Sequence, residues 1–452
     1  MLKTPLLKGA FSIYTIGKVI SFYYFWKTHS FTLYALYTPM ELYYSLSVLI
    51  VLASFFAYFN VRFLKLPSTI GIMVIAMAVS IFLVVFGNVF PTTLNRISSL
   101  ISRFDFTELL MGAMLNFMLF AGAIHINLKD LKEQRLPIIV FSTVSVVIST
   151  FVVGTFLYYL LPVLHLGMPY IYCLLFGALI SPTDPVAVLS ILKEVKVRKS
   201  LETKIAGESL FNDGMAIVAF AVILNIAQDN EYTPTVLNVA WLFIREAGGG
   251  FLLGVLLGIV AAKAIRKIDD YKVSVLITLA VVMGGYLIAS ALHISGPLTM
   301  VFAGLIIGNF KKTSVMSSTT KDYLDKFWEL NDEILNAVLF LFIGFNLLMV
   351  TDINNYWIPG LACVIIVLLA RYVSIWLPTF IIPFKKKFNS NTIKILVWGG
   401  LRGGVSIALA LSIDNVPYKD DIIAITYFVV VFSIIVQGLS IAKIAGKLLG
   451  KK

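Results

Sequence analysis

Two short strings place acids where acids are expensive. Ser181-Pro182-Thr183-Asp184-Pro185 and Glu208-Ser209-Leu210-Phe211-Asn212-Asp213 each lie inside a stretch otherwise apolar enough to cross a bilayer. A charge at the bilayer centre costs at least about 2.5–3.5 kcal/mol on insertion scales, so a carboxylate there marks a functional site by default. Proline at 182 and again at 185 removes backbone donors and stops a helix at Asp184. Such a break leaves carbonyls near residues 178–184 without helical partners, tolerated at that depth only where they line a cavity or are buried in protein. Those carbonyls, the Thr183 hydroxyl and the Asp184 carboxylate are hard oxygen ligands, suited to alkali cations as to calcium and magnesium. The chemistry on offer is cation or proton binding.

In the second string, helical spacing puts Ser209 and Asp213 on one face, and Glu208 and Asn212 on the neighbouring one. Asp213 with Ser209 reads as the ion-facing pair, and Glu208 as a structural acid that needs a cation. Only Arg245, Arg371 and Arg402 lie within or at the edge of apolar spans. Arg371 stands mid-span between Val364 and Pro378, where an unpaired guanidinium is costly and its fork of donors suits a buried pair. The expected partner of Glu208 is therefore Arg371, in a scaffold role.

A third element, Trp398-Gly399-Gly400-Leu401-Arg402-Gly403-Gly404-Val405-Ser406, sets four glycines around an arginine and weakens a helix there. Paired interrupted helices in corresponding halves are a transporter device, so the breaks at 181–185 and 399–404 are expected to cross near the site. His293-Ile294-Ser295-Gly296-Pro297 reads as a re-entrant or bent element opening a short span. Asp332 and Glu333 open a long apolar run, and either face a cation-attracting funnel or mark the membrane interface; the second reading is preferred.

The elements that position these residues are membrane helices. Of 452 residues, 59% are hydrophobic and 13% charged, against roughly 25% charged in soluble domains. At about 20 residues per spanning helix, about thirteen spans are expected: 41–62, 68–90, 107–127, 136–162, 169–192, 203–227, 236–264, 273–292, 296–310, 327–350, 356–383, 393–413 and 421–446. Basic residues fill alternate loops, such as Lys129/Lys132/Arg135, Lys193/Lys196/Arg198/Lys199 and Lys385/Lys386/Lys387, with Arg96 and Arg103 as exceptions. That bias places the carboxyl terminus in the cytoplasm. Residues 1–39 are aromatic-rich, and Lys8, Lys18 and Lys27 interrupt every apolar run, so they read as an extension for which three readings compete: a poorly anchored extra helix, an uncleaved signal-like segment, or a start assigned too far upstream, with Met40 preferred as the functional start.

The net charge of +12 follows from these loops and does not point to nucleic acid. Cys173 and Cys363 lie in apolar runs with no disulfide or metal spacing, and the four histidines are scattered. An intramembrane enzyme would need a nucleophile–base pair or metal motif, and a channel a filter of carbonyl or charge rings; neither is visible.

These strings, together with Leu66-Pro67-Ser68-Thr69, Asn127-Leu128-Lys129-Asp130, Ser295-Gly296-Pro297-Leu298, Ala370-Arg371 and Val436-Gln437-Gly438-Leu439, resemble the NhaP-type sodium/proton antiporters from about Met40 to the end. The resemblance implies an all-α fold of thirteen helices with inverted repeats and two crossing interrupted helices, assembled as a homodimer in the cell membrane. It divides the chain into interface helices (40–135 and 229–350) and a transport core (136–228 and 351–452). It implies exchange of a monovalent cation, sodium first and potassium or lithium as alternatives, for protons, with no cofactor. Cation and proton compete for Asp213; Asp184, Thr183, Ser209 and Asn212 complete the site, with Asp213, Asp184 and Ser209 as cation ligands. Glu208 and Arg371 match the family's ion pair, and Pro182, Pro185, Arg402 and Gly403 the helix breaks. An Asn at 212 favours electroneutral exchange. One departure stands out: relatives often carry a Glu after the Phe of the third span, where this chain has Ala121.

Overall fold

A computed structural model of the chain describes residues 39–86, 109–164, 166–185, 188–189, 199–228, 235–268, 270–313, 317–348, 353–384, 388–414 and 416–449. The expectations for residues 1–38, for Arg96 and Arg103 and for the 385–387 lysines lie outside the described residues. Residues up to Leu52 form one compact unit and Ala53–Lys452 a second. The described part of the first unit is helical from Pro39 onward.

Among the described residues the regular structure is helical: α1 (Pro39–Phe59), α2 (Ser68–Phe86), α3 (Leu115–His125), α4 (Leu128–Glu133), α5 (Arg135–Leu160), α6 (Tyr170–Leu179), α7 (Lys199–Gln228), α8 (Val236–Lys267), α9 (Tyr271–Ala291), α10 (Gly296–Thr313), α11 (Ser318–Phe345), α12 (Ile353–Ile381), α13 (Ser390–Trp398), α14 (Gly404–Leu411), α15 (Lys419–Phe432) and α16 (Gly438–Leu448). A backbone in lipid must satisfy its own hydrogen bonds, which favours helix for apolar runs of this length. Nine described helical segments are long and apolar enough to span. The other four expected spans are the shorter apolar helices α3, α6 and α10 and the interrupted pair α13–α14.

Of the two readings of His293-Ile294-Ser295, re-entrant or bent, the structure shows the bend: a tight turn between α9 and α10, with His293 at φ 52°, after which α10 runs unbroken from Gly296 to Thr313. A Pro in the first turn, at 297, is compatible with a helix start because its missing donor has no partner there anyway.

The helices pack chiefly in two groups. In one, α5 contacts α6, α7 and α12, while α15 contacts α12 and α14, and α13 contacts α12 and α16. Ser145 on α5 donates to the Ser374 carbonyl of α12 at 2.5 Å. In the other, α10 packs between α8 and α3, and α11 packs on α2, α3 and α9. Gly250, Gly254 and Gly258 form a small-residue stripe on α8 that lies directly on the backbone of residues 295–303, the close approach that glycine spacing allows in membrane helices. Trp328 of α11 is fully buried, meets the Phe120 ring at a tilt with centroids 4.5 Å apart, and donates from Nε1 to Thr278 Oγ1 of α9 at 3.1 Å. Ala121 is buried behind this aromatic cluster.

Candidate functional site

The first interruption begins where α6 ends at Leu179, and the chain runs without helix from Ser181 to Pro185. The second lies between α13 and α14, from Gly400 to Gly403. The two meet backbone to backbone: the Asp184 amide donates to the Leu401 carbonyl at 2.7 Å. Arg402, buried, donates from Nη1 to the carbonyls of Ser181 at 2.5 Å and Pro182 at 3.0 Å. A guanidinium at the carboxyl end of α6 also meets the negative end of that helix's dipole. Arg402 is held in turn through its own amide, which donates to Ser433 Oγ at 2.8 Å; Ser433 donates to Gln437 Oε1 at 2.7 Å, and Gln437 Nε2 reaches the Trp398 carbonyl at 3.1 Å. The Val436-Gln437-Gly438 string thus braces the second break.

Gly403 touches the Asp184 carboxylate so closely that a Cβ there would overlap it. The absence of a side chain at 403 is what lets Asp184 sit beside the start of α14, where the positive end of a helix favours an anion.

Helix α7 supplies the remaining groups. Ser209 Oγ donates to the Thr183 carbonyl. Asn212 Nδ2 donates to the Ser181 carbonyl at 3.2 Å and to Thr183 Oγ1 at 3.3 Å. One expectation needs correction here. The carbonyls of Ser181, Pro182 and Thr183 each accept a protein donor, so they serve to join the two breaks rather than standing as open cation ligands. Asn212 turns to the break, alongside Ser209. Neighbouring faces of one helix are only about 100° apart, and the unwound segment lies across both.

Glu208 takes the other direction. Its Oε1 lies 2.6 Å from Arg371 Nη2 on α12, with both side chains buried. Gly400 borders Arg371 closely: a Cβ at 400 would lie 2.5 Å from Nε.

What remains at the crossing are two oxygens with no hydrogen-bond partner among the described residues, Asp213 Oδ1 and Asn212 Oδ1, both on buried side chains. Orphaned buried acceptors are rare and call for a ligand or a proton. Asp213, Asp184 and Thr183 line one cavity of about 630 Å³, while Glu208 and Arg371 do not. The cavity runs from Asp213 along α7 to Lys199, fourteen residues or about 21 Å of helix. Its mouth carries Asp130 paired with Lys199 at 3.2 Å, and His125, whose Nδ1 lies 3.3 Å from Asp325.

Asp332 also lines this cavity, contrary to the preference for an interface marker; its neighbour Glu333 points elsewhere and is exposed. Residues 332 and 333 differ by about 100° around α11, and only the position of α7 opposite tells which faces the cavity. Lys199 is visible in the sequence only as part of a basic loop and Asp130 only within the Asn127-Leu128-Lys129-Asp130 string; the Asn127 cap, whose side chain accepts from the Lys129 amide at 3.0 Å, is the local signal that Asp130 opens a helix.

The family model described as sodium/hydrogen exchanger, transmembrane, matches residues 50–447. The chain is 46% identical over 404 residues, covering 88% of it and 95% of the relative, to the Na(+)/H(+) antiporter NhaP of Pseudomonas aeruginosa. It is 32% identical to the Na(+)/H(+) antiporter NhaH of Halobacillus dabanensis, over 76% of this chain and 84% of that protein. In structure it resembles the sodium proton antiporter MjNhaP1 of Methanocaldococcus jannaschii, with a TM-score of 0.73 over 91% of this chain and 100% of that one at 23% identity.

Proposed function

We propose that this chain, which belongs to the sodium/hydrogen exchanger family, exchanges sodium for protons across a membrane with Asp213 as the shared carrier of both ions. The observation that carries the site assignment is the pairing of a buried, unpartnered Asp213 Oδ1 with a cavity that leads to it. A sodium ion at Asp213 takes the carboxylate oxygens, the Asn212 amide oxygen and the Thr183 and Ser209 hydroxyl oxygens as hard ligands, with Asp184 on the facing break. A proton at the same carboxylate neutralises it equally well. The two ions therefore exclude each other, and exclusion at one site opened alternately to each side is exchange.

Asn212 contributes an amide where a second acid would add another titrating group, which supports an electroneutral, one-for-one exchange. With Asp213 neutralised by either ion, the group of helices around α5, α7 and α12 moves as a transport core against the group around α8, α10 and α11, which serves as the interface of a homodimer. The empty, charged core stays put, because a bare carboxylate is expensive to move through an apolar seam. The loops that carry the basic residues, including the mouth at Asp130 and Lys199, face the cytoplasm of a cell-membrane protein, as does the carboxyl terminus. The cavity is then the cytoplasmic access path.

The test is proton flux in proteoliposomes of purified protein under sodium, lithium and potassium gradients, with and without an imposed potential. Wild type gives sodium-driven proton movement unaffected by potential. Asp213→Asn, which keeps the shape and removes the charge, abolishes it. Flux with unchanged sodium affinity in that variant would overturn the assignment of Asp213.

A further inference from the structure

Asp332 reaches the cavity from a different wall than the site residues. Asp213 and Glu202 stand on α7, Asp184 on the break after α6, and Asp332 on α11, which packs on α2, α3 and α9. Its depth can be read along its own helix. Asp325 meets His125 at the mouth; Asp332 is seven residues further in, about 10 Å of helix. Leu339, seven residues deeper again, borders Gly404 at the crossing. Asp332 therefore stands midway between mouth and floor.

The charges that face it leave the path anionic. Among the described residues, the lining holds five carboxylates, Asp130, Asp184, Glu202, Asp213 and Asp332, against one ammonium, Lys199, already within 3.2 Å of Asp130. A cleft lined by one sign of charge between low-dielectric walls concentrates counter-ions. Asp332 is only part-buried, and the Asn336 side-chain amide, one turn on in the same helix, donates to its backbone carbonyl at 2.9 Å.

We propose that Asp332 is a positioning residue for transport, an entry-side carboxylate on the stationary wall that raises the cation concentration at Asp213 from the cavity side alone. This inference rests on the exchange reading above and gives it an asymmetry. When the core carries Asp213 to the opposite face, Asp332 stays with α11 and its field is left behind. Its charge acts on every monovalent cation alike, sodium and proton included, so it sets apparent affinity on one side without altering which ion the site prefers.

The experiment measures sodium KM and maximal rate in membrane vesicles of both orientations for wild type, Asp332→Asn, Asp332→Ser and Asp332→Glu, each checked for folding by its melting temperature. Loss of charge in the Asn and Ser variants raises KM about three- to tenfold from the cavity side, leaves KM from the other side and the maximal rate unchanged, and Glu restores wild-type KM. The isosteric Asn behaving as wild type, or a rise equal on both sides, overturns the proposal. So does a pattern in which Asn is tolerated and the bulkier Glu is not, which is packing. Absence of sodium-driven flux in wild-type vesicles would instead overturn the exchange reading itself.

Discussion

The guanidinium of Arg402 donates to the carbonyl of Ser181 at 2.5 Å, and this contact helps tie one interrupted helix to the other. Both breaks need it. The prolines at 182 and 185 free carbonyls from helical partners, and the glycines at 399, 400, 403 and 404 free the backbone that carries the donor to them. Arg402→Ala would leave the Pro182 carbonyl without its donor, at about 1–3 kcal/mol for a buried unsatisfied group. Arg402→Lys keeps the charge but loses the planar guanidinium whose Nη1 reaches both carbonyls. The expected outcome is a fall in melting temperature and loss of sodium-driven proton flux for Ala, with Lys intermediate in both. A wild-type melting temperature in Arg402→Ala would mean that the crossing is held by other contacts.

The Glu208–Arg371 contact is a buried charge pair, placed away from the cavity. Removing one partner of such a pair strands the other charge, typically at about 3–5 kcal/mol, whereas replacing both by apolar side chains is often neutral. Glu208→Ala is therefore expected to lower folded yield and melting temperature. The double variant Glu208→Met/Arg371→Met should recover much of that loss and keep measurable exchange. Thermal melting and flux on the same preparations decide it. Normal stability with lost transport in Glu208→Ala would move Glu208 into the ion path.

These two relationships differ in how far the sequence reveals them. Glu208 and Arg371 were pairable from cost alone, because few buried cations exist to answer a buried acid. Asp184 and Asp213 stood out for the same reason, as charges in apolar runs. The fold class followed from span lengths, and the two breaks from Pro and Gly. What sequence could not supply was the ownership of shared oxygens. Carbonyls freed by proline looked open to a cation, yet Arg402, Asn212 and Ser209 occupy them, because donors that satisfy a break come from other helices. Asn212 and Glu208 share a helical stripe, yet they serve different neighbours because the surface opposite changes within one turn. Asp332 and Glu333 are adjacent and chemically alike, and only the packing of α11 against its neighbours separates cavity wall from outer surface.

Gly403 and Asp184 give the sharpest test of geometry apart from charge. A methyl group at 403 would overlap the Asp184 carboxylate, while φ at that position, −136°, is open to any residue. Gly403→Ala therefore imposes no backbone strain and acts by displacing Asp184 from the crossing, where misplacement by about 1 Å is enough to spoil a preorganised site. It is expected to raise the apparent KM for sodium roughly as much as Asp184→Asn, which removes the charge and leaves the geometry. The double variant should then be little worse than either single, because both act on one contact and such effects do not add. Sodium titrations of proton flux on the three variants read this directly. Fully multiplicative effects would separate Gly403 from Asp184, and an unchanged KM in Asp184→Asn would remove Asp184 from the site.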